Sequence, residues 1–146
     1  MCKIRLIPIF GVLFLLASLS GTAVAGFTVT PGQWHIAYQR AGKLAFLTYA
    51  KKGEKTACLS GDFQTVIKAR VLDAGCQIST EKLVADTYAL TGSCYVKQLG
   101  SQVDVSVTAV MLTPSKITLR MTTLPGASLR YSDTSVVTYV GASCDS

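Results

Sequence analysis

Histidine is scarce in this chain of 146 residues, and the short motifs of the common enzyme classes are missing. There is one histidine, His35, and the eight carboxylates are spread singly along the sequence. The chain has no Gly-x-Ser-x-Gly, no His-Glu-x-x-His and no glycine-rich phosphate loop. Because acid–base catalysis needs titratable groups that converge on one site, we expect a protein that is not an enzyme.

Metal and haem motifs are missing as well. No two cysteines form a Cys-x-x-Cys pair, and the Cys-x-x-Cys-His sequence that attaches haem does not occur. His35 is far in sequence from every cysteine. Zinc, haem and thioredoxin-like redox sites therefore have no support, and we expect no cofactor and no metal.

The first 25 residues have the three parts of a secretory signal peptide. Lys3 and Arg5 precede an apolar run from Ile7 to Leu19, and Ala23-Val24-Ala25 supplies small residues for cleavage. The run is about two-thirds of the roughly 20 apolar residues that a membrane helix needs. We expect cleavage after residue 25, with an uncleaved anchor as the alternative. Residues 26–146 would then be one periplasmic or secreted domain without stable membrane insertion.

The positive charge is modest once this leader is removed. The full chain has 14 basic and 8 acidic residues, a formal net charge of +6. Removing Lys3 and Arg5 leaves 12 basic against 8 acidic residues, or about +4. That charge does not indicate a nucleic-acid-binding protein. The 121 residues that remain after 25 are taken from 146 suit one modest core, not two domains.

Four cysteines follow the leader, and an even number in an exported chain indicates two disulfide bonds. Cys76 and Cys94 are symmetric about Ala85, in a segment whose halves can pair as a hairpin. They would face each other across the strands, which leaves Cys58 for Cys144. Chain entropy assigns roughly 3 kcal/mol to the short loop and roughly 4 to 5 kcal/mol to the long one.

The first strands are predicted to form a hairpin. Trp34, Ile36 and Tyr38 recur at period two and would share one face, with His35 on the opposite, solvated face. Lys43 to Ala50 is also strand-like, and Ala41-Gly42 is a plausible two-residue turn. The charged segment Lys51 to Lys55 predicts a solvated loop, with contact to an anionic surface as the alternative.

One helix is predicted after Cys58. Apolar positions and one arginine follow the spacing of a helical face, at Phe63, Val66, Ile67, Arg70 and Val71. Ser60 is placed to cap this helix, and Gly75 to follow its end. We expect the apolar stripe to pack on a sheet. An extended structure from Thr65 to Leu72 is the alternative, since β-branched residues are frequent there.

The rest of the chain alternates as strands do. Apolar and polar residues alternate from Gln102 to Val110 and again from Ile117 to Thr122, and a last strand is predicted from Ser135 to Val140. Counting seven or eight strands and one helix, we predict a mainly β fold. It would be a single curved antiparallel sheet or incomplete barrel with one short helix packed on it.

Several short elements together resemble the domain of unknown function 3617 family. They are Pro31-Gly32-Gln33-Trp34, Cys58 and Cys76 around the helix-like stretch, Thr91-Gly92-Ser93-Cys94, and Gly141-Ala142-Ser143-Cys144. Members are small exported proteins, mostly of proteobacteria, with a P-G-x-W-like start and four cysteines in this order. His35 stands where members commonly carry an acidic residue. The resemblance implies a compartment and a covalent framework, and no activity or site residues.

The aromatic residues are the main pointer to a binding site. They are spread over several predicted strands, where most would fill the core. The alternative is that a curved sheet leaves an apolar concavity for a lipid-like ligand, with Trp34 and Tyr38 facing it.

The leading hypothesis is an exported, non-catalytic binding module for an envelope partner or a small apolar ligand. An inhibitor of a cell-wall hydrolase is one alternative, by analogy with small exported β-proteins. A hydrolase is another, and it would need His35 to meet a carboxylate and a hydroxyl in a cleft.

Overall fold

Seven antiparallel strands and one helix make up residues 26–144, the part of the chain that the computed structural model describes. The helix α1 spans Phe63–Asp73. The strands are β1 (Thr28–Leu44), β2 (Leu47–Asp62), β3 (Cys76–Val84), β4 (Thr87–Val96), β5 (Ser101–Thr113), β6 (Lys116–Thr123) and β7 (Leu129–Gly141). The predicted fold class is confirmed, and the sheet is open. The predicted signal peptide, residues 1–25, lies outside the described residues.

The helix lies across the gap between the two edges of the sheet. The strand order is β2-β1-β7-β6-β5-β4-β3, so β2 and β3 are the edge strands. α1 connects β2 to β3 and contacts both of them, as well as β1. Because an 11-residue helix is only about 16 Å long, the sheet must curve until its edges come that close. The face that α1 covers is therefore concave, and we call it the inner face.

The core lies between this inner face and α1. Every second side chain in the middle of β5 is buried, namely Val103, Val105, Val107 and Ala109. Phe63, Ile67 and Val71 of α1 are buried in the same core. Burial of one such large side chain contributes about 1.5–3 kcal/mol. The predicted alternation of β5 and the predicted packing face of the helix are both confirmed.

The first hairpin is longer than the sequence pattern predicted. Its turn is at Ala45-Phe46 rather than Ala41-Gly42, and Ala41 pairs with Ala50 inside the hairpin. The segment from Lys51 to Lys55 belongs to β2, so the prediction of a loop there was wrong. β2 is an edge strand, and charged side chains on an edge strand reach water while the backbone remains paired.

A β-bulge near the start of β1 explains the Pro-Gly-x-Trp element. The β1–β2 register shifts between Val29 and Gly32, and Gly32 has a φ of +147°. A Cβ on Gly32 would collide with the carbonyl oxygen of Gly141, so only glycine fits there. On the other side of the bulge the Trp34 indole Nε1 donates to the Thr30 carbonyl at 3.0 Å. The motif thus has a local structural role.

The helix begins two residues later than Ser60 would place it. β2 continues to Asp62, and the Asp62 carboxylate is the N-cap, accepting from the Gln64 backbone N at 3.1 Å and from the Thr65 hydroxyl at 2.9 Å. Gly75 follows the helix with a φ of +80°, as predicted. Within residues 26–144 no helix is long and apolar enough to cross a membrane.

Two disulfide bonds hold the ends of this arrangement. Cys76 and Cys94 are directly opposite each other in the β3–β4 register, and both are buried. The exposed pair Cys58–Cys144 joins β2 to the chain just after β7. β1 runs between them, since its residue Gln33 pairs with Cys58 on one side and with Gly141 on the other. These are the two pairs that the sequence predicted.

Candidate ligand-binding cavity

A cavity of about 350 Å³ lies between α1 and the inner face of the sheet. Its lining is mainly apolar and comes from β1, β2, β5, β6, β7 and the helix, with Ile36, Leu59, Val66, Ile67, Leu119 and Val137 among the contributors. Ligand pockets in proteins are typically concave, mostly apolar and about 300–1,000 Å³ in volume. This cavity has that size and character.

Helix length explains why the inner face is only partly filled. α1 has 11 residues, whereas β1 has 17 and β2 has 16. The helix is roughly 16 Å long and about 10 Å wide, so in either direction it is much shorter than β1, which at about 3.3 Å per residue spans roughly 55 Å. The buried helix residues therefore cover one part of the long β1–β2 hairpin and leave the rest of its inner face uncovered.

The inner face of β1 changes from apolar to polar along the strand. Trp34 is fully buried, Ile36 and Tyr38 are half-buried and line the cavity, and Arg40 lines its polar end. The Tyr38 ring lies over Gly53, where a Cβ would collide with it. Along this face the side chains go from fully buried at Trp34 to half-buried at Tyr38 and Arg40, and we infer that the cavity opens at the Arg40 end.

An ion pair forms the polar end of the cavity. Arg40 Nε donates to Asp133 Oδ2 at 2.8 Å, and the same carboxylate accepts from the Tyr131 hydroxyl at 3.3 Å and the Ser135 hydroxyl at 3.4 Å. The guanidinium carbon of Arg40 lies 4.7 Å from the centre of the Tyr38 ring. Asp133 is 18% exposed and Arg40 is 38% exposed, so the arginine is the partner that faces the opening.

Burial and the Asp133 carboxylate determine the protonation states of Arg40 and Tyr131 at the polar end of the cavity. Burial lowers the pKa of Arg40, but the hydrogen bond and the charge of Asp133 outweigh it, so the pKa is raised overall. Burial, and then the charge of Asp133, raise the pKa of Tyr131. At neutral pH Arg40 is therefore a cation and Tyr131 a neutral hydroxyl.

Two further cations line the same cavity. Lys55 comes from β2 and Arg70 from α1, and neither takes part in an ion pair among residues 26–144. Among the described residues that line the cavity there are thus three positive groups, with Arg40 included, against one carboxylate, that of Asp133. The cavity thus combines an apolar interior with three exposed or half-exposed cations at separate places on its edge, which we call the rim, and this suits a ligand with an apolar body and an acidic group.

The structure separates the two aromatic residues that the sequence proposed as ligand-facing. Tyr38 lines the cavity. Trp34 shares its face but is 0% exposed, lies outside the lining and packs edge-on against Tyr139 with ring centroids 5.3 Å apart. Trp34 is therefore a core residue, because it lies at the end of β1 where the core is closed.

His35 lies on the outer face, away from the cavity. Its Nε2 is 3.3 Å from Glu54 Oε2, and the glutamate side chain is 73% exposed. Within residues 26–144 no hydroxyl is hydrogen-bonded to His35, and no three His, Cys, Asp or Glu side chains are grouped as a metal site. The histidine and carboxylate that the hydrolase hypothesis requires do meet, but on an open surface.

Arg40 and Asp133 were missed by the sequence interpretation, although a signal for each existed. Arg40 continues the period-two series of Trp34, Ile36 and Tyr38, which places it on the inner face. Asp133 continues the series of Val137 and Ser135 in the same way. That the two residues meet could not be read from these series, because 93 residues separate them.

No protein-family model matches this chain, and no curated protein does either. Among solved structures, the chain is similar to the solution NMR structure of de novo designed TMB2.3. The similarity covers 76% of this chain and 96% of that one, at 10% sequence identity and a TM-score of 0.34. A similarity this weak does not bear on the fold or on the site.

Proposed function

We propose that this protein is an exported, non-catalytic module that binds a small apolar ligand in the cavity between α1 and the sheet. The observation that carries the proposal is the open apolar cavity of about 350 Å³ with Arg40 at its mouth. The arginine and the aspartate at its polar end are both partly exposed, as a cavity that opens to solvent requires. An apolar ligand would enter from this end.

The rim supports an acidic group on the ligand. The Nε of Arg40 donates a hydrogen bond to Asp133, so the two terminal nitrogens of the guanidinium are available to an acceptor on a ligand. Lys55, which is opposite Ile36 on β2, and Arg70 on α1 add two more cations to the cavity lining. Charge-assisted hydrogen bonds are roughly twice as strong as neutral ones, so a carboxylate, sulfonate or phosphate on the ligand would be held at this rim.

Export is supported by the disulfides and by the sequence. Two disulfide bonds of this kind persist in oxidising compartments, which favours the periplasm or the exterior of the cell. The signal peptide stays a prediction, as does membership of the domain of unknown function 3617 family.

Two probes that share one ring system test the proposal. Phenylnaphthylamine is neutral, and anilinonaphthalene sulfonate carries an acidic group. Both should fluoresce more strongly on binding. The Val66→Phe variant fills part of the cavity and should weaken both by about tenfold, or roughly 1.4 kcal/mol. Leu72→Phe is the matched control, because Leu72 is on the same helix, half exposed and outside the lining.

The rim is tested separately. Lys55→Gln should weaken the sulfonate probe several-fold and leave the neutral probe unchanged, because only the sulfonate gains from the lysine charge. Native mass spectrometry of the exported protein, purified from its own envelope, should show a bound small molecule. Probe binding that Val66→Phe and Leu72→Phe affect equally would refute the cavity as the site.

A further inference from the structure

The tip of the β1–β2 hairpin is apolar and exposed. We use the name hairpin tip for Leu44, Phe46, Leu47 and Tyr49, around the turn at Ala45-Phe46. Phe46 is 89% exposed, Leu47 61% and Tyr49 48%. Scattered single apolar residues on a surface are ordinary, but a contiguous group of large ones indicates an interaction site.

Turn chemistry does not account for these residues. Two-residue hairpin turns favour Asn, Asp and Gly, since such turns need positive φ. Here Ala45 has a φ of +50°, which is unfavourable for alanine, and Phe46 follows it with its ring in solvent. A sequence selected only to form this turn would have no use for a phenylalanine there.

The hairpin tip projects beyond the end of β6. β6 pairs with β7 only as far as Ser132, which is opposite Ala41 on β1. Past that level β2, β1 and β7 continue, with Leu44 between Leu47 and Leu129, while β4 and β5 continue on the other side of β6. Leu47 and Tyr49 lie on the inner face there, past the end of the β6 pairing.

Positive charge surrounds this apolar group. Residues 41–52 and 129–132 contain no acidic residue and four basic ones, Lys43, Lys51, Lys52 and Arg130. All four are exposed, and none takes part in an ion pair among residues 26–144. Apolar side chains at a tip with basic residues behind them match the layers of an anionic membrane surface, which has acyl chains beneath phosphate groups.

We propose that the hairpin tip docks on an anionic lipid surface. Phe46 and Leu47 enter the boundary between headgroups and acyl chains, Tyr49 lies at headgroup level, and the four basic residues contact lipid phosphates. A second copy of the chain is a poorer occupant. In a symmetric dimer through this surface, four positive charges would face four positive charges with no acidic residue to compensate.

Docking would bring the cavity close to the lipid. Arg40 precedes Leu44 by four residues on the same inner face, so it lies roughly 13 Å from the hairpin tip along the strand. The open, positive end of the cavity thus faces the proposed membrane. Docking itself uses residues that do not line the cavity, so it stands independently of the ligand proposal.

Vesicle binding tests the proposal with the exported protein. The parent should bind vesicles that contain phosphatidylglycerol and bind phosphatidylcholine vesicles much more weakly. Phe46→Ser should weaken binding by about tenfold, because one large apolar side chain no longer enters the membrane. Lys51→Gln combined with Lys52→Gln should weaken it by about 25-fold, from about fivefold for each basic residue. Added salt should weaken parent binding too.

Matched variants at the opposite end of the strands serve as controls. Leu112 is 54% exposed beside the β5–β6 turn, and Lys116 follows that turn. Leu112→Ser and Lys116→Gln should bind as the parent does. Insertion is read directly from Phe46→Trp, whose emission should shift to the blue with vesicles, because the native Trp34 is already buried and should not respond.

Equal binding by the parent, Phe46→Ser and Leu112→Ser would overturn the proposal. So would a dimer in sedimentation that Phe46→Ser dissociates, without vesicle binding, since a second copy would then cover the hairpin tip. Val66→Phe should bind vesicles as the parent does, and Phe46→Ser should bind the neutral probe as the parent does. Failure of the docking proposal can therefore be distinguished from failure of the proposed function.

Discussion

Arg40 on β1 and Asp133 on β7 are opposite each other in the strand register and are joined by a 2.8 Å hydrogen bond from Nε to Oδ2. Asp133 is the more buried partner and also accepts from two hydroxyl groups. The pair closes one end of the apolar cavity, and its arginine is the group that an acidic ligand would meet first.

Replacing Asp133 should lower the stability of the protein but strengthen its binding of an acidic probe. Asp133→Asn should lower the free energy of unfolding by about 1 kcal/mol, because a charge-assisted hydrogen bond is lost at a partly exposed site. The same change should strengthen binding of anilinonaphthalene sulfonate, because it removes the one carboxylate that residues 26–144 contribute to the cavity lining. Urea unfolding and fluorescence titration measure the two effects. Glu54→Gln, at the exposed His35 pair, is the control and should change both by little.

Stability should fall at alkaline pH. Burial and the hydrogen bond to Glu81 raise the pKa of Tyr88, and burial with the charge of Asp133 raises that of Tyr131. A raised pKa means that the unfolded chain loses these protons first. The contribution of these two tyrosines to the free energy of unfolding is therefore fully present below pH 10, the ordinary tyrosine pKa. It is lost as the pH rises above that value.

Tyrosine-to-phenylalanine variants identify the groups responsible for this fall. Urea midpoints measured from neutral pH upward should decline less steeply for Tyr88→Phe than for the parent. Adding Tyr131→Phe should reduce the slope further. A parent-like slope in the double variant would show that other groups control alkaline unfolding.

Gly32 should tolerate no side chain. Gly32→Ala places a Cβ against the Gly141 carbonyl and the Tyr139 ring, at a φ that alanine disfavours. We expect a loss of about 2–4 kcal/mol in the free energy of unfolding. Gly141→Ala is the control, because nothing lies within 4 Å of the added Cβ, and it should change stability by less than about 0.5 kcal/mol. Similar losses for both variants would contradict the steric explanation.

The two disulfides should contribute unequally. Chain entropy assigns roughly 4 to 5 kcal/mol to the bond across 86 residues and roughly 3 kcal/mol to the bond across 18 residues. Changing Cys58 and Cys144 to serine should therefore lower stability more than changing Cys76 and Cys94 to alanine. Denaturant unfolding of the two double variants decides the order, provided that peptide mapping shows the remaining bond intact. The reverse order would mean that burial of the short-range bond outweighs loop length.

Local signals predicted the elements and much of the framework. The alternation from Val103 to Ala109 identified the inner face of β5, and the spacing of Phe63, Ile67 and Val71 identified the packed face of α1. The symmetry of Cys76 and Cys94 about Ala85 predicted their pairing, because a hairpin places such residues opposite each other. These are consequences of side-chain periodicity and of short-range geometry, which neighbouring residues determine.

Only the tertiary structure decided which strands lie together and what they enclose. The Ala45-Phe46 turn was missed because Ala41-Gly42 has better turn chemistry, yet pairing with β7 as far as Leu44 keeps β1 extended past it. Trp34 and Tyr38 follow one sequence pattern, but only Tyr38 reaches the cavity, because α1 is too short to close the whole inner face. The meeting of Arg40 and Asp133 depends on β1 lying next to β7. Strand order of this kind follows from the packing of the whole chain, which no local sequence pattern specifies.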